Sequence, residues 1–195
     1  MANTVFYPAN PKFQQVSPFA APDSATSDSL KMGKLFETEF LHACRKIGRT
    51  ERLEDDRYNK PSCDHFAVFP FSYPSCPHLP GMLTFFECKS TGCANLPMVD
   101  IKPHQLEAMA RYDHAFHGSY AGFVIHFRGS SEEEVWYMPG KAVQEYLRQN
   151  PGAKYLPTEF VKRRGFPIGI DKERTKTRLG ERLEIHDFLV RLRRT

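Results

Sequence analysis

Two short stretches hold the residues best suited to acid–base and metal chemistry: Asp64, within Cys63-Asp64-His65, and the tripeptide Glu87-Cys88-Lys89. The tripeptide lies inside an otherwise apolar run, MLTFFECKS. An acid and an ammonium in such surroundings are costly to bury unless something satisfies them, and a divalent cation with ordered water would do so. Side chains alternate along a strand, so Glu87 and Lys89 are predicted on one face with Phe86 and Cys88 on the other. Asp64, in the paired strand of the same hairpin, would bring a second carboxylate to Glu87. Hard cations such as Mg²⁺ use one or two carboxylates with waters and phosphate oxygens. The main-chain carbonyl of Cys88 is a further candidate oxygen ligand. Such a site suits phosphodiester hydrolysis, because the metal stabilises charge on the phosphate and makes water more acidic. Lys89 would position or deprotonate the attacking water, or offset the growing charge. Glu-x-Lys alone is a common edge-strand pair, so its meaning depends on the surrounding elements.

Those elements are legible as an alternation of periods. Leu35, Phe36, Phe40, Leu41 and Cys44 recur at helical steps, which predicts a helix over Leu30–Ile47 closed by Gly48. The polar segment Arg49–Ser62 reads as irregular. Strands are predicted over Cys63–Phe69 and Met82–Ser90, separated by a Pro-rich loop from Pro70 to Gly81. A helix over Pro103–Ala115, strands over Gly122–Arg128 and Glu134–Met138, and a helix over Lys141–Gln149 follow. A last helix is expected from Arg178 to Arg193. The order points to an α/β fold with a mixed sheet flanked by helices. The expected organisation is an N-terminal arm over 1–30, a catalytic domain over 31–150 and a basic C-terminal extension over 151–195.

These pieces together resemble the PD-(D/E)XK nucleases, and more narrowly the RecU-type Holliday junction resolvases and their phage-borne relatives. The matching segments are Gly33-Lys34-Leu35-Phe36-Glu37, Cys63-Asp64, Glu87-Cys88-Lys89-Ser90, Leu96-Pro97, Ile101 with His104-Gln105, and Gly122 to Arg128, in the family's order. The resemblance implies a restriction-endonuclease-like core and a Mg²⁺-dependent, structure-specific endonuclease, with Mn²⁺ as a substitute. It also implies a homodimer cutting symmetrically related strands of a four-way junction. Carried over, Asp64 and Glu87 bind metal, Lys89 is the catalytic lysine, Glu37 is the acid of the first helix, and Gln105 is the polar residue offered by the next helix. Glu39, about 200° further round that helix, is expected to face solvent. The sequence departs from the pattern in the Pro70–Gly81 insertion, in lacking a counterpart of the stalk ahead of Asp64, and in carrying its basic segment at the C-terminus.

The 195 residues carry a net charge of +4, and the basicity is local. From Val161 to Thr195 there are 11 Lys/Arg against 5 Asp/Glu, a surplus expected to meet polyanions. Lys162, Arg163, Arg164, Arg174, Lys176 and Arg178 read as a cluster without matching acids and as candidate DNA contacts, with a solvated tail as the plain alternative. No apolar run is long enough for a membrane span. The start of the chain has no signal-peptide pattern and its 5 cysteines are an odd number, so a reducing, cytoplasmic setting is expected. His42-Ala43-Cys44, Cys63-Asp64-His65 and Cys76-Pro77-His78 are spaced more tightly than zinc knuckles and read as packed thiols and histidines rather than as a zinc site. A nucleophilic Cys88 or Cys93, with His104 or His114, lacks any local feature that would lower the thiol pKa. The residues predict a metal-dependent phosphodiester hydrolase, and the resemblance implies an endonuclease on branched DNA. A nuclease on duplex ends or flaps, and an inactive DNA-binding scaffold, stand as alternatives.

Overall fold

The computed structural model describes residues 23–53, 63–69, 81–113, 119–129 and 132–194. The arm expected over 1–30 falls outside them up to residue 22, as do most of the polar segment after Leu53 and the Pro-rich loop over 70–80. Six strands form one mixed sheet: β1 (Arg49–Arg52), β2 (His65–Phe69), β3 (Met82–Thr91), β5 (Ser119–Phe127), β6 (Glu134–Pro139) and β8 (Phe166–Ile168). They lie in the order β1-β2-β3-β5-β6-β8. Only β3 and β5 pair in parallel; every other pairing is antiparallel. A parallel pair needs a crossover, and here that connection carries a helix, α2 (Pro103–Tyr112). Two short strands, β4 (Leu96–Pro97) and β7 (Tyr155–Leu156), form a separate ribbon.

Two cores sandwich the sheet. On one side, α1 (Asp23–Arg45) and α6 (Ile185–Leu192) pack Phe36, Phe40, Phe188 and Leu189 against Phe86, Val124 and Tyr137. On the other, α2, α3 (Gly140–Gln149) and α4 (Thr158–Arg164) bring Met109, Val143 and Val161 onto Phe123, Ile125 and Phe127. The central strand β5 is buried at every position, as expected of a strand covered on both faces. Two glycines allow close approaches. A Cβ at Gly48, just beyond α1, would lie 2.6 Å from the Phe69 ring and from the Val68 carbonyl. A Cβ at Gly140 would lie 2.4 Å from the Met109 backbone, where α3 meets α2.

The mixed sheet between helices is the architecture expected from the sequence. Several details differ. The first helix begins at Asp23 rather than Leu30. Arg49–Arg52, read as irregular, is an edge strand; its side chains are charged except Thr50, so it lacks the apolar alternation that reveals a half-buried strand. The final helix is two, α5 (Leu179–Arg182) and α6, separated by Leu183 and Glu184. Residues beyond 150 are woven into the body: β8 extends the sheet, and Ile185, Phe188, Leu189 and Leu192 complete the α1-side core. Glu39, expected at the surface, is half-buried and accepts the backbone N–H of Gly180 at the start of α5 at 2.9 Å.

Candidate active site

The site forms where β2 stops short of β3. Their pairing ends at His65 opposite Phe86, while β3 runs on to Thr91 beside β5 alone. The far half of β3 therefore keeps one backbone edge open. Asp64, in the bend just before β2, steps into that gap, and its Oδ2 accepts the Cys88 N–H at 2.8 Å. A strand residue presents its N–H and C=O to the same edge, so the Cys88 carbonyl faces the same gap.

Alternation along β3 then distributes chemistry as expected. Phe85 stacks on Tyr112 of α2, ring centroids 4.9 Å apart, while Phe86 meets Phe40 of α1 edge-on at 5.1 Å. Glu87 and Lys89 turn to the α2 side. Lys89 Nζ donates to Glu87 Oε1 at 2.7 Å and to Gln105 Oε1 at 3.2 Å, and Gln105 Nε2 donates back to Glu87 Oε1. Gln105 is set by its place in α2. It is the third helical residue, following Pro103 at the first, and its Oε1 also accepts the Lys102 N–H at 3.0 Å. That reach back to the residue before the helix is half of a capping box, so one amide both begins α2 and ties Lys89 to Glu87.

Glu87 is 2% exposed, and its second oxygen, Oε2, has no hydrogen-bond partner among the described residues. Burial and the neighbouring Asp64 carboxylate push its pKa up to about 7, against the pull of Lys89. A buried carboxylate with one oxygen unsatisfied, standing beside a second carboxylate, still demands positive charge beyond that of Lys89. A hard divalent cation fits that donor set: Asp64, Glu87 and the Cys88 carbonyl are all oxygen ligands on one open edge.

Glu37 reaches the same place from α1. Burial and Asp64 raise its pKa, while Arg52, Lys34 and Lys89 lower it. Arg52 Nε lies 3.1 Å from its Oε1. These side chains line one cleft of about 350 Å³, together with Lys34, Ser90, Asp100 and Lys102. The cleft thus brings together Asp64, Glu87, Cys88, Lys89 and Glu37, with Gln105 bonded to two of them.

Ser90, Lys34 and Lys102 were not singled out as site residues by the sequence. Lys34 sits one helical turn before Glu37 and Ser90 directly follows Lys89, so proximity to the motifs was the available signal. Ser90 is also tied outward: Arg128 Nε donates to its Oγ at 3.0 Å, and His126 Nδ1 lies 3.5 Å away. His126 Nε2 in turn meets Glu133 at 2.9 Å.

None of the six C-terminal cations lines this cleft. Nor do they lack acids, contrary to expectation: Lys162 pairs with Glu134 at 2.9 Å, Arg164 with Glu145 at 2.9 Å, and Arg174 with Asp171 at 3.3 Å. Two of those partners precede the basic segment by many residues, and only the fold reveals them. Arg163, Lys176 and Arg178 have no carboxylate within ion-pair distance among the described residues; Arg163 lies over the Phe160 ring at 5.7 Å. The cysteine expectations stand differently from one another. Cys44 and Cys63 are buried, with burial pushing the Cys44 thiol above its usual range and Cys63 to about 12. Cys88 is likewise held well above the ordinary thiol pKa by burial and nearby carboxylates, so it is no thiolate nucleophile. His42 is exposed, while Cys76-Pro77-His78 and His114 lie outside the described residues. Among the described residues, no helix is long and apolar enough to cross a membrane.

Comparison with known proteins adds an independent line. The family model of recombination protein U, RecU, matches residues 79–176. A curated relative, the Holliday junction resolvase RecU of Streptococcus uberis, is 29% identical over 89 residues. That match covers 45% of this chain and 42% of the relative, so the chain spans less than half of that protein. The family match contains Glu87, Lys89 and Gln105 and begins after Asp64 and Glu37.

Proposed function

The chain belongs to the RecU family of recombination proteins, and from that premise we propose that it is a divalent-metal-dependent endonuclease that resolves four-way DNA junctions by phosphodiester hydrolysis. It acts in the cytoplasm as a homodimer, one copy cutting each of two symmetry-related strands. The observation that carries the reading is the convergence of Asp64, Glu87 and Lys89, drawn from two separate segments, on one cleft with Glu37 and Gln105.

In this reading Asp64, Glu87 and the Cys88 carbonyl hold Mg²⁺. When bound, the ion draws negative charge off the scissile phosphate and makes water more acidic. The chain supplies the rest. Glu87 and Gln105 pin the Lys89 ammonium so that it orients the attacking water and offsets charge on the phosphate in the transition state. Glu37, with its raised pKa, accepts or returns a proton on the α1 side of the cleft. Lys34 and Lys102 attract the DNA backbone, and this binding weakens as salt rises. Arg163, Lys176 and Arg178 extend that contact away from the cleft, with Lys162, Arg164 and Arg174 contributing once phosphate displaces their carboxylate partners.

A cleavage panel tests the proposal: four-way junctions, duplexes, flaps and single strands, each with Mg²⁺, Mn²⁺ or chelator. Junctions are expected to be cut in paired strands, with metal, and much faster than the other substrates. Equal cutting of duplex ends or flaps would move the chain to the end-processing reading, and binding without any cutting would leave an inactive scaffold. Lys89→Ala should lose cleavage while keeping junction affinity; cutting at the parental rate would remove Lys89 from the mechanism.

A further inference from the structure

The α1 side of β3 holds a second constellation, which shares Asp64 with the hydrolytic site and adds two groups that the hydrolytic reading does not use, the His65 imidazole and the Cys88 thiol. His65 is 1% exposed, yet neither ring nitrogen has a hydrogen-bond partner among the described residues. A neutral imidazole carries one donor and one acceptor, so both halves of its polarity are buried without compensation, an expensive arrangement. Glu37 Oε1 is 3.6 Å from Nε2, beyond a useful hydrogen bond. Asp64 and Cys88 supply the missing clue. One ligand atom each from Asp64, His65 and Cys88 lies within 4.8 Å of the others. Three different donor types meeting around a buried imidazole with no hydrogen bond among the described residues is an arrangement that a metal ion would satisfy at once.

We propose that Asp64, His65 and Cys88 bind a second divalent ion, of the borderline-soft class typified by Zn²⁺, on the α1 side of β3. Ligand atoms around a tetrahedral zinc lie about 3.4–3.8 Å apart, so the three close in by roughly an ångström on binding. The nitrogen and sulfur donors select against Mg²⁺, which prefers oxygen. The Cys88 thiol releases its proton to solvent as the sulfur–metal bond forms. Charge then balances: one carboxylate and one thiolate against a dication, with Glu37 already opposed by Arg52. Asp64 thereby serves both positions, and the second ion fixes the carboxylate that the catalytic edge depends on.

The site goes beyond the cleavage reading and is tested without it. The full-length chain is stripped with chelator, kept reduced, and titrated with Co²⁺ in excess Mg²⁺, which occupies the oxygen-only position. One equivalent of Co²⁺ should develop a near-ultraviolet sulfur-to-cobalt charge-transfer band that Zn²⁺ displaces and further Mg²⁺ does not. Cys88→Ser should abolish the band. His65→Ala should weaken Co²⁺ binding by at least the roughly 10–100-fold seen when even an outer-shell partner is lost. Lys89→Ala should leave the band intact. Absence of the band in the parent chain, or its persistence in Cys88→Ser, overturns the site. If Cys88→Ser does not fold, the zinc K-edge spectrum of the parent decides: sulfur and nitrogen neighbours support the assignment, and an all-oxygen shell refutes it. Absence of the band in a parent chain that still cleaves would sink this site alone, and a parent chain that shows the band but cuts no substrate would sink the nuclease reading alone.

Discussion

The two faces of β3 differ in how they treat buried polarity. On the α2 face, Glu87, Lys89 and Gln105 satisfy one another through a closed set of hydrogen bonds, leaving a single carboxylate oxygen over. On the α1 face, one residue away in either direction, Phe86 is fully buried against Phe40 and Cys88 stands near an imidazole with no hydrogen-bond partner among the described residues. The first face carries one ammonium against two neighbouring carboxylates and still calls for a cation. The second is a polar hole in an aromatic core. Back-to-back chemistry of this kind costs nothing in chain length, because a strand delivers adjacent residues to opposite sides. Asp64 is the one side chain that serves both faces, since it holds the backbone between Glu87 and Lys89 while standing beside His65.

Replacing that shared residue should have the largest effect. Asp64→Asn is expected to lower junction cleavage by about 10³-fold or more, equivalent to roughly 4 kcal/mol, and to weaken the cobalt band as well. Single-turnover kinetics and the optical titration measure the two losses separately, and an effect confined to cleavage would show the faces to be independent. Phe86→Ala, by contrast, should leave both sets of ligands in place while costing about 3–5 kcal/mol of folding stability. Urea unfolding reads that loss; a change under about 1 kcal/mol would mean the α1-side core is far looser than its burial indicates. Gln105→Ala acts on the α2 face alone. Freed from its clamp, Lys89 should support cleavage about 10–100-fold more slowly, in line with the usual worth of a positioned acid–base group, with the cobalt titration unchanged. An equal loss of affinity for cobalt would contradict the separation of the faces.

The smallest expected effect concerns pH. In metal-free buffer Glu87 titrates near 7 in the folded chain against an ordinary value of 4.5. Between those values the folded chain retains a proton that the unfolded chain has released. Its contribution to stability is therefore complete below about 4.5 and is lost as the pH rises through about 7. The raised Glu37 acts in the same direction, whereas the depressed His65 acts in the opposite one, adding stability as the pH climbs from about 4 to 6.5. Comparing the melting temperature of the parent with that of Glu87→Gln across this range isolates the carboxylate. The variant should lose less stability than the parent towards pH 7, and parallel curves would mean that Glu87 is not held protonated.

Much of the α2 face was legible in the sequence. The run MLTFFECKS gives both the strand and its alternation, and the structure keeps Met82 as its first residue. Pro103 and Gln105 mark the start of α2 without any knowledge of what the helix packs against. The α1 face was legible in part. Phe86 and Cys88 fall on it as alternation predicts, and Cys63 and His65, read as packed residues, are buried; that Asp64 and His65 meet Cys88 was not visible. Regular alternation begins only at His65, because Asp64 stands in a bend outside the strand. The acids that pair with Lys162 and Arg164 were missed for a related reason. Those acids, Glu134 and Glu145, come from β6 and α3, and a local charge count cannot register an acid brought in from another element.

By itself, then, the order of residues determined the helices and strands of the catalytic half, the face on which Glu87 and Lys89 lie, and the oxygen-rich character of their surroundings. These follow from periodicity and from the cost of burying charge, both local properties of the chain. Only the tertiary structure decided where β2 ends against β3, and so which backbone edge stays open for Asp64. Only it placed Glu37, Cys88 and His65 together, because register between strands and the seating of α1 depend on packing across the whole sheet.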